Sequence, residues 1–349
     1  MASNLRVRWI DMVKGFGIFL MVIGHASGLP ENIKLWIYGF HMPLFFILSG
    51  YTYGMFDEKK FKNKGLYFIV KQKTKSYLKP YFILFFINLI IQTLFELLKY
   101  GGGGYELFKI RNYLVAGLYS HDTNMPNCAP LWFLTCLFVA YIFFWIMVNQ
   151  EKFYKQILVA MIYFIILCFV LFIEKKYGIA QLPWHIDTAL IASIFMLAGN
   201  FIYKFSPRIS WLNQNIRVVI YICGFVISSI AFFFNGRIIM VINQYHNMIL
   251  FFISATIMSV VIIEIINMYE KNSHNSRIIN LFSWWGSNTL IFLGFNYVFN
   301  LVVSQALRLI NLNGTIINTI IDIIVVMAGC SVIAFEWNRI KHSIKQRNM

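Results

Sequence analysis

The chain is a succession of long apolar runs separated by short polar or basic segments. A helix that crosses a bilayer needs about 20 mostly apolar residues, whereas a transmembrane β-barrel would have short segments of alternating polarity. The pattern therefore predicts an all-α polytopic integral membrane protein with about ten transmembrane helices. The predicted spans cover residues 9–27, 35–54, 80–98, 131–149, 155–173, 184–203, 217–234, 247–266, 281–302 and 315–335.

The composition agrees with this fold class and excludes others. Of the 349 residues, 59% are hydrophobic and only 13% are charged, with a mean hydropathy of +0.66. Soluble globular domains carry about 25% charged residues, and disordered chains are far less apolar. We therefore predict a single transmembrane domain over residues 1–349 with two longer connections, at residues 56–79 and 99–130.

The net charge of +16 would suggest a nucleic-acid partner in a soluble protein. Here membrane topology explains it better, so no nucleic-acid partner is expected and the partner is the lipid bilayer. With a cytoplasmic N-terminus, the inner segments carry 21 Lys and Arg residues and the outer segments carry 8. Basic residues concentrate on the cytoplasmic side, which predicts cytoplasmic termini, a basic cytoplasmic loop at 56–79 and an extracytoplasmic loop at 99–130. The predicted location is a cell membrane, of the bacterial inner or plasma-membrane type.

Neither a signal peptide nor a cysteine-based site is predicted from the sequence. A cleaved signal peptide is disfavoured because Asp11 and Lys14 interrupt what would be its apolar core. The five cysteines are odd in number and lack CxxC spacing, so neither a disulfide framework nor a metal site is predicted.

The first predicted span contains three ionisable residues, Asp11, Lys14 and His25. At about 100° per residue all three fall on a stripe about 60° wide, so one face of this helix is expected to turn away from lipid. Asp11 and Lys14 have the i, i+3 spacing of an ion pair, which is the simpler interpretation of that pair. Ionisable groups inside spans are otherwise functional candidates.

Two histidines are predicted at a similar depth. His25 lies about 24 Å along a helix entering at Trp9, in the outer third of a hydrocarbon core about 30 Å thick. His41, about six residues into the next, oppositely directed span, also falls in the outer third. Histidine exchanges protons near neutral pH, which favours acid–base chemistry. Each histidine could equally bond a neighbouring carbonyl between helices, and the two alternatives stay open.

Other polar or amphipathic side chains fall near the same outer face. Trp132 opens the fourth span and has the position of an interfacial aromatic residue. Asp187, just inside the sixth span, needs a partner or a function. Asp322 lies in the middle of the last span, and the sequence assigns it no role.

Together, these residues belong to motifs that resemble the membrane acyltransferase-3 family, especially its fucose 4-O-acetylase-like branch. The resemblance extends over nearly the whole chain and is strongest over residues 6–54. The motifs are RWIDMVKG (8–15), VIGH (22–25), FHMPLFFILSGY (40–51), PLWFL (130–134), DTAL (187–190) with LAG (197–199), and GSNTL (286–290).

The resemblance implies transfer of an acyl group, usually acetyl, from cytoplasmic acetyl-CoA to a hydroxyl of an envelope or exported glycan. The acceptor is then a glycan or a lipid-linked sugar, and no metal is implied. The implied catalytic residues are His25, Asp11 and Lys14, with His41 as a candidate donor to the thioester oxyanion. The implied substrate-binding residues are Trp132, Asp187, Ser49 and Asn288.

The chain departs from the family pattern at two places. Where relatives often have Arg-x-x-Arg before a Pro-Tyr pair, this chain has Lys71, Lys73, Lys75 and Lys79, which keep the charge without the bidentate fork of arginine. These lysines are predicted to bind the phosphates of CoA, because a polyanion cannot enter hydrocarbon and only the slender pantetheine arm can reach inward. Asn296 stands where relatives commonly have histidine, so that position is assigned no catalytic role.

A secondary transporter or a flippase for a glycan or lipid-linked precursor is the main alternative, since it too would carry ionisable groups inside many helices. A transporter concentrates such groups near the midplane. The predicted placement of His25, His41 and Asp187 near one face, with the basic segment at the other, favours the enzyme.

The topology is testable by reporter fusions. A fusion after Met349 should report cytoplasm, and one within Gly101–Gly104 should report the extracytoplasmic side, because of the 21 to 8 asymmetry in basic residues. An extracytoplasmic signal at Met349 would reverse the predicted orientation.

Overall fold

A computed structural model describes residues 7–61, 64–100, 105–120, 125–126, 128–178, 181–209, 212–273, 276–309 and 316–347. These residues form fifteen α-helices, and the described part contains no strand beyond an isolated bridge between Ile239 and Gln244. The helices are α1 (Arg8–His25), α2 (Glu31–Tyr38), α3 (His41–Thr52), α4 (Glu58–Phe61), α5 (Leu66–Lys73), α6 (Lys79–Tyr100), α7 (Tyr105–Tyr119), α8 (Trp132–Val148), α9 (Phe153–Tyr177), α10 (Ile186–Ile209), α11 (Gln214–Asn235), α12 (Met248–Asn272), α13 (Arg277–Ser287), α14 (Thr289–Leu309) and α15 (Ile316–Arg347).

Within the described residues, nine helical segments are long and apolar enough to cross a membrane. The remaining predicted span, residues 9–27, corresponds to α1. Its 18 residues include the charged Arg8, Asp11 and Lys14, so it is more polar than the other nine. The predicted all-α polytopic fold is confirmed. The nine segments are Glu31–Phe61, Leu66–Leu98, Ala129–Val148, Phe153–Tyr177, Pro183–Ser206, Gln214–Asn235, Met248–Asn272, Thr289–Leu309 and Ile316–Ile344.

The ninth predicted span, residues 281–302, is two helices and not one. α13 ends at Ser287, and Asn288 leaves the helical conformation with φ −118° and ψ 23°. The Asn288 side chain donates back to the Trp284 carbonyl oxygen at 2.8 Å. Such a local side-chain bond offers the backbone an alternative to continuing the helix.

The two connections predicted at 56–79 and 99–130 are largely helical. Two π-helical turns, Tyr53–Asp57 and Thr74–Leu78, continue α3 into α4 and α5 into α6. The second connection contains α7, which is clamped to α6 because Glu96 accepts from the Tyr113 hydroxyl at 2.7 Å and pairs with Lys109 at 3.5 Å. Gly101–Gly104, His121 and Asp122 lie outside the described residues.

The chain divides into two compact units. The terminal unit comprises Met1–Ile37 and Ile263–Met349, and the central unit comprises Tyr38–Ile262. α12 begins in the central unit and ends in the terminal one.

Small residues bring helix backbones together in each unit. In the central unit α3 packs on α10, and a β-carbon at Gly50 or Gly199 would overlap the carbonyl of Met196 or Ile47, respectively. In the terminal unit α1 packs most extensively on α13, where a β-carbon at Gly286 would overlap the Asp11 carbonyl. Close approach of this kind replaces hydrophobic burial as the driving force between helices in lipid.

Candidate functional site

The charged pair near the start of α1 is placed as its spacing predicts. Lys14 Nζ lies 3.4 Å from Asp11 Oδ1, so the predicted ion pair is confirmed. The Asp11 side chain is only 9% exposed, while the Lys14 side chain is 37% exposed. α1 packs on α13, and the Asp11 carboxylate lies inside the protein. The Lys14 ammonium stays accessible to solvent.

His25 is the last residue of α1 and is half-buried. Its ring packs edge-on against Tyr297 of α14, with 5.2 Å between ring centroids. The chain leaves the helix immediately afterwards, at Ala26, and turns through Gly28 at φ +79°. The histidine is therefore held by an aromatic neighbour at a helix end.

Asp322, which the sequence left without a role, organises the turn that follows His25. Its Oδ2 accepts from the Ser27 backbone N–H at 3.0 Å and from the Ser27 hydroxyl at 3.3 Å. The Asn300 amide, oriented with its nitrogen toward Asp322, donates to both carboxylate oxygens at 2.5 and 2.6 Å, and Thr319 donates to the Ser27 carbonyl at 2.8 Å. The sequence signal for such a residue is a carboxylate within an otherwise apolar span.

The basic segment separates into two kinds of lysine. Lys71, Lys75 and Lys79 are exposed, as phosphate ligands would be, whereas Lys73 is only 6% exposed. Burial therefore separates Lys73 from the other three lysines of the predicted phosphate-binding set. On a helix, residues 71 and 75 share a face and residue 73 points to the opposite side.

The buried Lys73 ammonium is occupied by neighbours within the central unit. Its Nζ lies 3.5 Å from the centroid of the Tyr141 ring and 3.8 Å from Asp57 Oδ2. Tyr141 also donates to Asp57 Oδ2 at 3.5 Å. Buried charges need such partners, so Lys73 ties α5 to α8 and to the π-helical turn that ends at Asp57.

His41 and Ser49 occupy α3 in the central unit. His41 opens the helix, is 6% exposed and lies against Tyr38 with 5.2 Å between ring centroids. Ser49 donates to the Phe45 carbonyl of its own helix at 2.8 Å. Its hydroxyl proton is therefore already engaged in α3.

Trp132 and Asp187 are buried near the starts of α8 and α10. The Trp132 ring packs on His185 with 5.2 Å between centroids, and His185 Nε2 is 2.8 Å from the Ser120 carbonyl. Asp187 is fully buried and accepts from the backbone N–H groups of Leu182 and Thr188 at 3.2 and 2.7 Å. The sequence places His185 near the outer face without assigning it a role, and the structure sets its ring between Trp132 and the Ser120 carbonyl.

Asn288 in the terminal unit has all of its polar atoms engaged. Besides its bond to Trp284, it donates to the Ser287 hydroxyl at 3.0 Å and accepts from Asn338 of α15 at 2.9 Å. These contacts explain Asn288 as a cap at the junction of α13 and α14, while its predicted role in substrate binding rests on the family motif alone.

The predicted site residues are thus divided between the two units. The terminal unit carries Asp11, Lys14, His25 and Asn288; the central unit carries His41, Ser49, Trp132, Asp187 and the lysines. Over the ranges that the structure describes, no group of three or more His, Cys, Asp or Glu residues is placed to hold a metal ion.

Comparison with known protein families decides the class of this protein. The model for the acyltransferase domain of the acyltransferase-3 family matches residues 7–335. The chain belongs to the acyltransferase-3 family. Searches of curated proteins and of solved structures returned no match. The family match confirms the resemblance of the motifs and makes the chain a multi-pass membrane acyltransferase, which favours the enzyme over the transporter or flippase.

The Asp322 network is testable by substitution. Asp322→Ala should lower the free energy of unfolding by about 1–3 kcal/mol, because the half-buried Asn300 amide and Ser27 lose a charged acceptor. Asp322→Asn keeps one acceptor oxygen and should lose less, and Ser27→Ala less again. Denaturant unfolding in detergent measures all three, and a wild-type value for Asp322→Ala would refute the assignment.

Proposed function

We propose that this acyltransferase moves an acyl group, most simply acetyl, from cytoplasmic acyl-CoA to a sugar hydroxyl of a cell-envelope or exported glycan. The observation that carries the proposal is α1, a helix with an ion pair near one end and His25 at the other, about 21 Å apart by helical rise. This separation places His25 far from the charged pair. It suits a reaction at the thioester of acyl-CoA, which is remote from the phosphates of the nucleotide. The proposed location is a bacterial inner membrane or plasma membrane.

The exposed lysines supply the proposed donor site. The phosphates of CoA stay outside hydrocarbon, and Lys71, Lys75 and Lys79 present ammonium groups at the surface of the central unit. Lys73 contributes by holding this segment against Asp57 and Tyr141, not as a phosphate ligand. Lysine binds phosphate as a point charge, so the interaction is sensitive to salt.

His25 is proposed to handle the proton or the acyl group. As a general base, it takes the proton of the sugar hydroxyl while the oxygen attacks the thioester carbon, and the CoA thiolate leaves and is protonated. As a nucleophile, it first carries the acyl group and then passes it to the hydroxyl. In either route the thioester oxygen becomes negative, and His41 is the proposed donor to it.

The remaining predicted residues have supporting roles in this proposal. Asp11 and Lys14 hold the polar face of α1 away from lipid. Trp132 and Asp187 belong to the acceptor side, where an aromatic ring and buried polar groups suit a sugar. Ser49 and Asn288 are assigned to substrate only by their place in the family motifs.

Substitution of His25 tests the catalytic assignment. His25→Ala should reduce acyl transfer by about 10² to 10⁴ or more, the usual value of acid–base assistance, while leaving expression and acyl-CoA binding unchanged. A loss below about tenfold in a folded variant contradicts the role. Mass spectrometry of His25 after rapid mixing with acyl-CoA, without acceptor, separates an acyl-histidine route from direct transfer.

Neutralising the exposed lysines tests the donor site. Lys71→Gln/Lys75→Gln should weaken acetyl-CoA binding and reduce its salt sensitivity, because two surface charges near the phosphates are lost. The matched control is Lys152→Gln/Lys155→Gln, which removes the same charge from exposed positions on the same predicted face. Equal effects of the two double variants would assign the lysines to membrane topology alone.

A further inference from the structure

His25 stands where α1 alone does not fix the orientation of a side chain. It is the last residue of the helix, and Ala26 has already left the helical conformation, with φ −64° and ψ 137°. The last carbonyl groups of an α-helix have no partner within the helix, and helix ends fray. A group that takes a proton or an acyl group must nevertheless keep one geometry, because a misplacement of about 1 Å can reduce the rate about 10²-fold. The support for His25 therefore has to come from outside α1.

The first support comes from α15, which holds both backbone polar groups of Ser27, two residues after His25. Asp322 Oδ2 accepts from the Ser27 backbone N–H at 3.0 Å, and the Thr319 hydroxyl donates to the Ser27 carbonyl at 2.8 Å. Asp322 and Thr319 are three residues apart and therefore lie on one face of α15. The turn after α1 thus has two attachment points on a single helix face.

The second support comes from α14, which contacts the His25 ring itself. Tyr297 packs edge-on against the imidazole with 5.2 Å between ring centroids. Asn300, one turn further along α14, donates to both carboxylate oxygens of Asp322 at 2.5 and 2.6 Å. The helix that contacts the imidazole therefore also contacts the carboxylate that holds the turn. The ring contact and the turn contact are joined through Asp322.

A carboxylate is an unusual group for this position. Asp322 is 1% exposed and lies within the last membrane-spanning segment, where ionisable groups are rare and mark functional sites. A neutral serine or asparagine could accept from the Ser27 N–H alone. The Asp322 carboxylate accepts from the N–H and the hydroxyl of Ser27 and from the Asn300 amide. Hydrogen bonds to an ionised acceptor are about twice as strong as neutral ones, so the charge holds the turn more firmly than a neutral cap would.

We propose that Asp322 is the positioning residue of His25. It fixes the turn after α1, so that the imidazole keeps one orientation against Tyr297 during acyl transfer. In this role Asp322 contacts no reacting atom, and its effect on the rate passes through the backbone from Ser27 to His25. The proposal rests on the proposed function, because it takes His25 to be the residue that handles the proton or the acyl group.

The test compares Asp322→Ala, Asp322→Asn and Ser331→Ala in the full-length protein. Ser331 is the matched control, because it also lies on α15 and accepts a hydrogen bond, from Trp285 Nε1 at 3.1 Å, but about 13 Å further along the helix. Transfer of radiolabelled acetyl from acetyl-CoA to the glycans of isolated membranes gives kcat and the KM for acetyl-CoA. Each kcat is normalised to the amount of folded protein recovered in detergent.

A second measurement does not depend on activity. Diethyl pyrocarbonate modifies accessible imidazoles, and mass spectrometry gives its rate of reaction with His25 relative to His246, an exposed histidine of the central unit. Asp322→Ala should react faster at His25 than the wild type does, because the turn that holds the ring is released. Ser331→Ala should react at the wild-type rate.

Asp322→Ala should lower kcat about 10- to 100-fold, because His25 loses its fixed orientation, while the KM for acetyl-CoA stays within about twofold. Asp322→Asn keeps one acceptor oxygen for the Ser27 N–H and should recover most of kcat. Ser331→Ala should keep the wild-type kcat. If Asp322→Ala fails to fold, Thr319→Val, which removes the other attachment of Ser27 without removing a charge, should lower kcat in the same way.

Three results would overturn the proposal. Wild-type kcat in folded Asp322→Ala would show that His25 needs no such support. An equal loss of kcat in Asp322→Ala and Ser331→Ala would indicate a general effect on α15. An unchanged rate of modification at His25 in Asp322→Ala would show that the ring is not released. Wild-type activity in His25→Ala would instead refute the proposed function, and this outcome is distinct because it arises in a variant that keeps Asp322.

Discussion

A charged or hydrogen-bonding side chain placed in hydrocarbon must find a partner within the protein, and this requirement shapes the whole chain. Asp11 pairs with Lys14, Lys73 with Asp57 and the Tyr141 ring, and Asp322 with the turn that follows His25. In each case the partner comes from a neighbouring turn or helix. The Lys73 and Asp322 contacts each join segments that are distant in the chain.

Glycine determines how closely those faces approach. At Gly50 and Gly199 the backbones of α3 and α10 are in contact, and Gly15 and Gly286 play the same part for α1 and α13. Since lipid tails are as apolar as the side chains they would displace, close packing and internal hydrogen bonds stabilise such contacts. The motifs that identify the family contain these glycines, so the motif residues serve the packing of helices as well as the chemistry.

Several polar residues of the family motifs have their polar atoms engaged within the fold. Asn288 and Ser49 have their donor groups engaged with nearby backbone or side-chain atoms, and Asp187 accepts from two backbone N–H groups. Asn200, just beyond the LAG motif, is buried with its amide unengaged by the described residues. A motif position is therefore not by itself evidence of contact with substrate.

The sequence alone predicts the membrane class, the helical fold, the approximate spans, the Asp11–Lys14 pair and the family. These properties depend on local composition, on the periodicity of one helix or on contiguous motifs. Three further features required the packed helices: Lys73 is internal, Asp322 orders the turn after His25, and the span at 281–302 breaks at Asn288. Those outcomes depend on side chains far apart in the chain, or on one side chain competing for a backbone carbonyl, and hydropathy averaged over a span contains no term for either.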